Sequence, residues 1–194
     1  MPLDASRNSL VLPILGLLVE QPAHGYDITT RLRERYGHLP VTRSTVTSLL
    51  KALEKAGKVS SRQPERIGNR PPRTAYELTA AGLADFRHKI EAGVRESPAA
   101  SVDFVMAVAY VGVLPKEQAA GILDGRADRL DQELAALSGP PDGDVLEVHM
   151  LEVAYWRTIV ATEATWIRTL VRRIRSHEIG WPTQQPDTHG SAEA

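Results

Sequence analysis

The segment Arg43-Ser-Thr-Val-Thr-Ser-Leu-Leu-Lys-Ala-Leu-Glu-Lys-Ala-Gly57 constrains this chain more than any other. Val46, Leu49, Leu50, Leu53 and Ala56 recur at helical spacing, which predicts one buried face. The opposite face carries Thr45, Thr47, Ser48, Lys51 and Lys55. Short hydroxyls and long cations can reach base edges and phosphates without blocking a groove. Thr42 or Ser44 can cap the start, and Gly57 supplies the stop. The segment reads as a DNA recognition helix, the alternative being an ordinary amphipathic surface helix with a solvated polar face.

The sequence around it favours the first reading. A helix is expected from Asn8 or Ser9 to about Glu20, with Leu10, Ile14, Leu17 and Leu18 inward and Pro13 in its first turn. Gln21-Pro-Ala-His-Gly25 reads as a turn. A second helix is expected over 26–36, with Ile28 and Leu32 inward, closed by Gly37 and Pro40. Helix, turn and basic polar helix make a helix-turn-helix. Residues 58–62 and 74–78 then alternate as half-buried strands do. The loop between them holds Gly68-Asn69 at its tip and Arg66, Arg70 and Arg73 around it. It reads as a wing that can reach a phosphate backbone or a minor groove. Arg43 and Lys55 join those arginines as phosphate contacts, while Thr45, Thr47, Ser48 and Lys51 face the major groove.

These segments resemble the PadR family of transcriptional regulators. The resemblance is carried by Ile14-Leu-Gly-Leu-Leu-Val-Glu, Pro22-Ala-His-Gly-Tyr-Asp-Ile28, Ser44-Thr-Val with Leu53-Glu-Lys-Ala-Gly-Lys-Val59, and Arg70-Pro-Pro-Arg with Tyr76-Glu-Leu-Thr-Ala-Ala-Gly82, in the family's order over about residues 9–93. It implies a winged-helix DNA-binding domain, usually of a repressor that responds to small molecules. The family commonly has Tyr-Pro where this chain has Thr47-Ser48, so base contacts must be argued from this chain's own residues.

Charge divides the chain in the same place. Through residue 95 there are 15 Lys/Arg against 9 Asp/Glu; from residue 96 there are 8 against 15. A polyanion partner would engage the front half only. Thr79 can cap a fourth helix to about Gly93, and Glu96-Ser-Pro98 reads as a linker. Three more helical segments are expected, over 102–111, 115–137 and 145–177. The second has a near-heptad stripe of Ala119, Leu123, Ala127, Leu130, Leu134 and Leu137, weakened by Gly121 and Gly125. The third has two stripes. One is Leu146, Met150, Val153, Val160, Ala164, Ile167, Val171 and Ile174; the other is Val148, Leu151, Tyr155, Ile159, Trp166 and Leu170. Two stripes need partners on both sides, and a second copy of the chain is the simplest cover. Asp103-Phe104 and Glu163-Ala-Thr-Trp166 also resemble the helical dimerisation region of many PadR-family members.

The expected fold class is mostly α with a small β-hairpin. An arm (1–8) precedes a winged helix-turn-helix domain (9–95), an α-helical dimerisation domain (99–180) and a disordered tail (181–194). The chain has no cysteine, no Gly-rich phosphate loop and no apolar run of about 18 residues, so thiolate metal sites and membrane spans are not expected. No signal-peptide pattern is read, which makes the cytoplasm the expected location. Ser48-Leu-Leu-Lys51 fits Ser-x-x-Lys without its companion motifs. His149 and Glu152 are too few to hold a metal. Neither catalysis nor a cofactor is expected. Tyr155, Trp156 and Trp166 are candidates for holding a small aromatic effector, against the reading that they pack a helix interface. The sequence therefore predicts a homodimeric repressor on a double-stranded DNA operator, released by such an effector. The rival is a winged-helix protein-interaction module.

Overall fold

The computed structural model describes residues 8–37, 39–62, 74–137 and 146–182. Arg66, Arg70 and Arg73 lie outside the described residues, as do most of the arm and the tail. The chain divides into two compact units, one of residues 1–93 and 102–110, the other of 94–101 and 111–194.

The first unit begins with α1 (Val11–Glu20), which is apolar nearly all round and correspondingly buried from Val11 through Leu18 apart from Leu12. Asn8 acts through its side chain: Oδ1 accepts the Leu10 N–H at 2.9 Å, just before the helix. β1 (Ala23–His24) follows where the sequence reading places a turn. Two residues are too few to show an alternation, so only pairing with a distant segment makes them a strand. The helix α2 (Gly25–Arg35) buries Ile28, Thr29 and Leu32. Its Arg31 and Arg35 both pair with Glu20 at the end of α1.

The central helix is α3 (Arg43–Lys55). Thr42 caps it, its hydroxyl accepting the Thr45 N–H at 3.1 Å. Val46, Leu49, Leu50 and Leu53 are buried as expected, but Ala56 is exposed because the helix has ended by then. The ending is built by Gly57 at φ +69°. The Gly57 N–H donates to the Glu54 carbonyl and the Lys58 N–H to the Leu53 carbonyl, each at 2.9 Å. This double closure requires the left-handed conformation that glycine adopts without strain. The chain then enters β2 (Val59–Ser61) and returns as β3 (Ala75–Leu78). β3 lies in the middle of the antiparallel sheet, with β1 on one side and β2 on the other.

Thr79 starts α4 (Ala80–Glu96) by accepting the Gly82 N–H at 2.9 Å while donating to the Gly57 and Lys58 carbonyls. Gly82 is the close approach that locks α4 to the end of α3: a Cβ there would lie 1.9 Å from the Lys58 oxygen. The sequence reading places residues 99–180 in one domain, whereas α5 (Val102–Ala109) and Tyr110 group with the first unit. Tyr110 explains why. Its hydroxyl hydrogen-bonds the Tyr36 hydroxyl at 2.9 Å, its ring meets Phe86 edge-on at 5.5 Å, and it fills the space that a side chain on Gly16 would take.

The second unit pairs α6 (Lys116–Ala136) with α7 (Leu151–Arg175). Val160, Ala164, Ile167, Val171 and Ile174 are buried on α7, and Ala119, Leu123, Ala127 and Leu130 on α6, while Leu134 and Leu137 remain half-exposed. Space beside Gly121 and Gly125 is open, so no helix approaches there within the unit. The predicted continuous helix over 145–177 is interrupted. Glu147–Met150 forms a 3-10 turn, and Met150, at φ −120° and ψ 9°, breaks the helical geometry before α7 begins.

The second unit is fastened by a residue the sequence reading passes over. Arg126 is 1% exposed. Its guanidinium donates to the carbonyls of Val94 (3.0 Å), Ser97 (2.8 Å) and Pro98 (3.2 Å), and to Glu163 Oε1 through Nε (2.8 Å) and Nη2 (2.5 Å). The other Glu163 oxygen accepts the Ala100 N–H at 2.7 Å. The segment read as a plain linker is thereby held to both long helices.

Candidate nucleic-acid interface

The polar side of α3 is assembled by its cap and its apolar face. With Val46, Leu49, Leu50 and Leu53 inward, helical geometry turns Arg43, Ser44, Thr47, Ser48, Lys51 and Lys55 outward, and all six are exposed. Thr45 is half-exposed. Its hydroxyl lies 2.8 Å from the Thr42 Oγ1, so it serves the cap network as well as the surface. Ser44 hydrogen-bonds the same Thr42 oxygen at 3.0 Å. The N-terminal turn of α3 thus presents a hydroxyl cluster, with Lys51 and Lys55 further along.

Beside Thr47 lies an open cleft of about 410 Å³. Its walls are His24, Gly25 and Tyr26 from the start of α2, Arg43, Thr47 and Leu50 from α3, and Thr74 and Tyr76 from the returning strand. β1 and β3 are paired here, Ala23 opposite Tyr76 and His24 opposite Ala75, which brings the α2 start and the strand together. Burial, and then the Glu54 charge, hold the Tyr76 hydroxyl above the ordinary tyrosine range. The Arg43 guanidinium stands over the Tyr26 ring, 5.0 Å from its centroid.

The structure brings Arg43, Thr45, Thr47, Ser48, Lys51 and Lys55 onto one helix. The hairpin that carries Arg66, Arg70 and Arg73 is described only at its base, where the Arg62 N–H donates to the Ala75 carbonyl at 2.8 Å. Arg62 itself pairs with Glu77 across the strands at 2.6 Å. Tyr26 was not singled out by sequence reasoning. The available signal was its place: it lies off the Ile28–Leu32 face, where an aromatic ring has no core to fill.

The three aromatics on α7 do not share a pocket. Trp156 turns toward α6, its Nε1 donating to Glu133 at 2.8 Å. Tyr155 and Trp166 point outward and are 68% and 48% exposed. Eleven residues apart, they are separated by about 16 Å along the helix. Among the described residues no cluster of three metal-ligating side chains exists, and no helix is long and apolar enough to cross a membrane.

Comparison with known proteins decides the family. The model of the transcriptional regulator PadR-like family matches residues 14–88, which run from α1 into α4. A PadR family transcriptional regulator from Eggerthella lenta is 30% identical over 44% of this chain and 72% of its own, with a TM-score of 0.38. The chain belongs to the PadR-like family of transcriptional regulators. A transcriptional regulator from Clostridium thermocellum is likewise 30% identical, over 47% of this chain and 85% of its own, with a TM-score of 0.39. Bacillus subtilis PadR, solved in complex with operator DNA, is 20% identical over 86% of this chain and 99% of its own, with a TM-score of 0.42. No curated protein matches. The PadR-like fold is mostly helical with a small antiparallel sheet, and the family's members are regulators, not enzymes. The family match ends at residue 88, before α5, α6 and α7.

Proposed function

We propose that this PadR-like protein is a sequence-specific DNA-binding repressor, working in the cytoplasm as a homodimer on a double-stranded operator and released by a small aromatic effector. The observation that carries the DNA reading is the exposed face of α3, where hydroxyls and cations line the side opposite a fully buried apolar stripe. Thr47 and Ser48, near the N-terminal end, take base edges with Lys51 and Thr45 beside them, since that end of a recognition helix meets the bases. Arg43 and Lys55 take phosphates, joined by Arg66, Arg70 and Arg73 of the hairpin. Thr47→Ala is expected to relax base preference at its own position in fragments selected from a random library. Lys55→Ala should keep that preference, weaken binding to all sequences, and lower the slope of log affinity against log salt by about 1. An unchanged selection profile for Thr47→Ala would remove it from the base-reading set.

The dimer reading rests on α7. Leu151, Tyr155 and Trp166 lie on its second stripe and are exposed, as are Leu146 and Val148 before the helix. Such a face is covered most simply by its own copy across a two-fold axis. The effector reading follows from it: a planar compound between Tyr155 and Trp166 of facing chains, with Trp156 reached only if it leaves Glu133, would bind one arrangement of the dimer better than another. Only such a difference in affinity can shift the DNA-competent population. Planar aromatic compounds that quench tryptophan fluorescence should release operator from the native protein and not from Trp166→Leu. Equal release from both would move the sensor elsewhere.

A further inference from the structure

Several arginines near α3 face carboxylates, and Arg43 differs from them in how it is held. Arg31 and Arg35 pair with Glu20, and Arg62 with Glu77. Arg43 instead rests on the face of Tyr26, a ring 52% exposed and placed about 200° round α2 from Ile28. The difference matters chemically. A carboxylate partner occupies the N–H donors in the plane of a guanidinium, whereas an aromatic face attracts the cation through its quadrupole and leaves that edge open. The same cleft wall holds His24, whose Nδ1 is buried and has no hydrogen-bond partner among the described residues. Thr47 stands on the rim, and the floor is apolar Leu50. The result is a cation held beside the N-terminal turn of α3 by an aromatic ring rather than by a carboxylate.

We propose that Tyr26 is a positioning residue for DNA binding: its ring holds the Arg43 guanidinium over the cleft, where two N–H groups engage the oxygens of one backbone phosphate. This rests on the operator-binding reading above. The acceptor is a phosphate because a planar fork of donors matches its oxygens in bidentate fashion. The contact fixes where α3 sits on the duplex without reading a base.

The test uses the full chain, a duplex that it selects from a random library, and a scrambled duplex of the same length. Arg43→Gln should weaken both by a similar factor and lower the salt slope by about 1. Tyr26→Leu should weaken both about three- to fivefold, while Tyr26→Phe, which keeps the ring, stays within about twofold of the native protein. The double variant Tyr26→Leu/Arg43→Gln should bind no worse than Arg43→Gln alone, since a positioning residue has nothing left to position. Independent, multiplying losses would overturn the proposal. So would an unchanged Tyr26→Leu, or a Tyr26→Phe as weak as Tyr26→Leu, which would make the hydroxyl the contact. Thermal melts of the variants, matched to the native protein, show that the side chains and not the fold are being measured. A native protein that binds neither duplex would overturn the operator reading itself. Native binding with an indifferent Tyr26 overturns the positioning role alone.

Discussion

Arg126→Leu is expected to destabilise the chain by about 3–5 kcal/mol, the usual cost of removing one partner from a buried pair. The substitution leaves Glu163 without its cation, in a place where little water reaches it. It also strips three carbonyls, those of Val94, Ser97 and Pro98, of their shared donor. Lysine should not rescue: one point charge with three donors cannot serve a carboxylate and three carbonyls arranged around a planar fork. Glu163→Gln should cost less, about 1–3 kcal/mol, because the amide oxygen can still accept from the guanidinium. Urea melts at one fixed chain concentration give these values, the fixed concentration being needed because the proposed dimer would make stability depend on it. A loss below about 1 kcal/mol for Arg126→Leu would mean that the 94–101 segment is held by other contacts.

Placing charge on the outer face of α7 should have the larger functional effect. Tyr155→Glu combined with Trp166→Glu puts two carboxylates on the exposed stripe while leaving the buried side, Val160 to Ile174, untouched. The expected products are a folded monomer by light scattering at micromolar concentration and an operator affinity lower by about 10²–10⁴-fold. That range is what is lost when two linked binding events become separate ones. Helical content should be unchanged, since both side chains stand on the exposed side of α7. A variant that stays dimeric would place the two-fold contact on another surface.

The parts of this fold that were legible in the sequence share one property: local pattern and tertiary packing agree. The stripe of Val46, Leu49, Leu50 and Leu53, the Thr42 cap and the Gly57 stop are all written within sixteen residues, and the structure builds each of them. The Thr79 cap and the two longer strands were legible for the same reason. What escaped depends on distant residues. Ala23 and His24 become a strand only because Tyr76 and Ala75 lie alongside. Arg126 looks like a solvated arginine on an amphipathic helix until carbonyls some thirty residues earlier in the chain converge on it. Residues 102–110 follow a linker-like Ser-Pro in the sequence, yet Tyr110 groups them with the first unit through Gly16, Tyr36 and Phe86. Of the candidate site, the α3 face could be read from helical spacing. The Tyr26–Arg43 stack could not, because it joins the starts of two helices through residues seventeen positions apart.

The outward face of α3 is proposed to read DNA sequence. Its most direct test is fluorescence anisotropy of the full-length protein on a library-selected duplex and on its scrambled counterpart, across a salt series. The logarithm of the affinity should fall steeply and linearly as log salt rises, with the selected duplex bound at least about 10³-fold more tightly at physiological salt. Equal affinity for the two duplexes would contradict sequence reading. Binding to neither, or binding indifferent to salt, would instead leave the winged helix as a surface for protein partners.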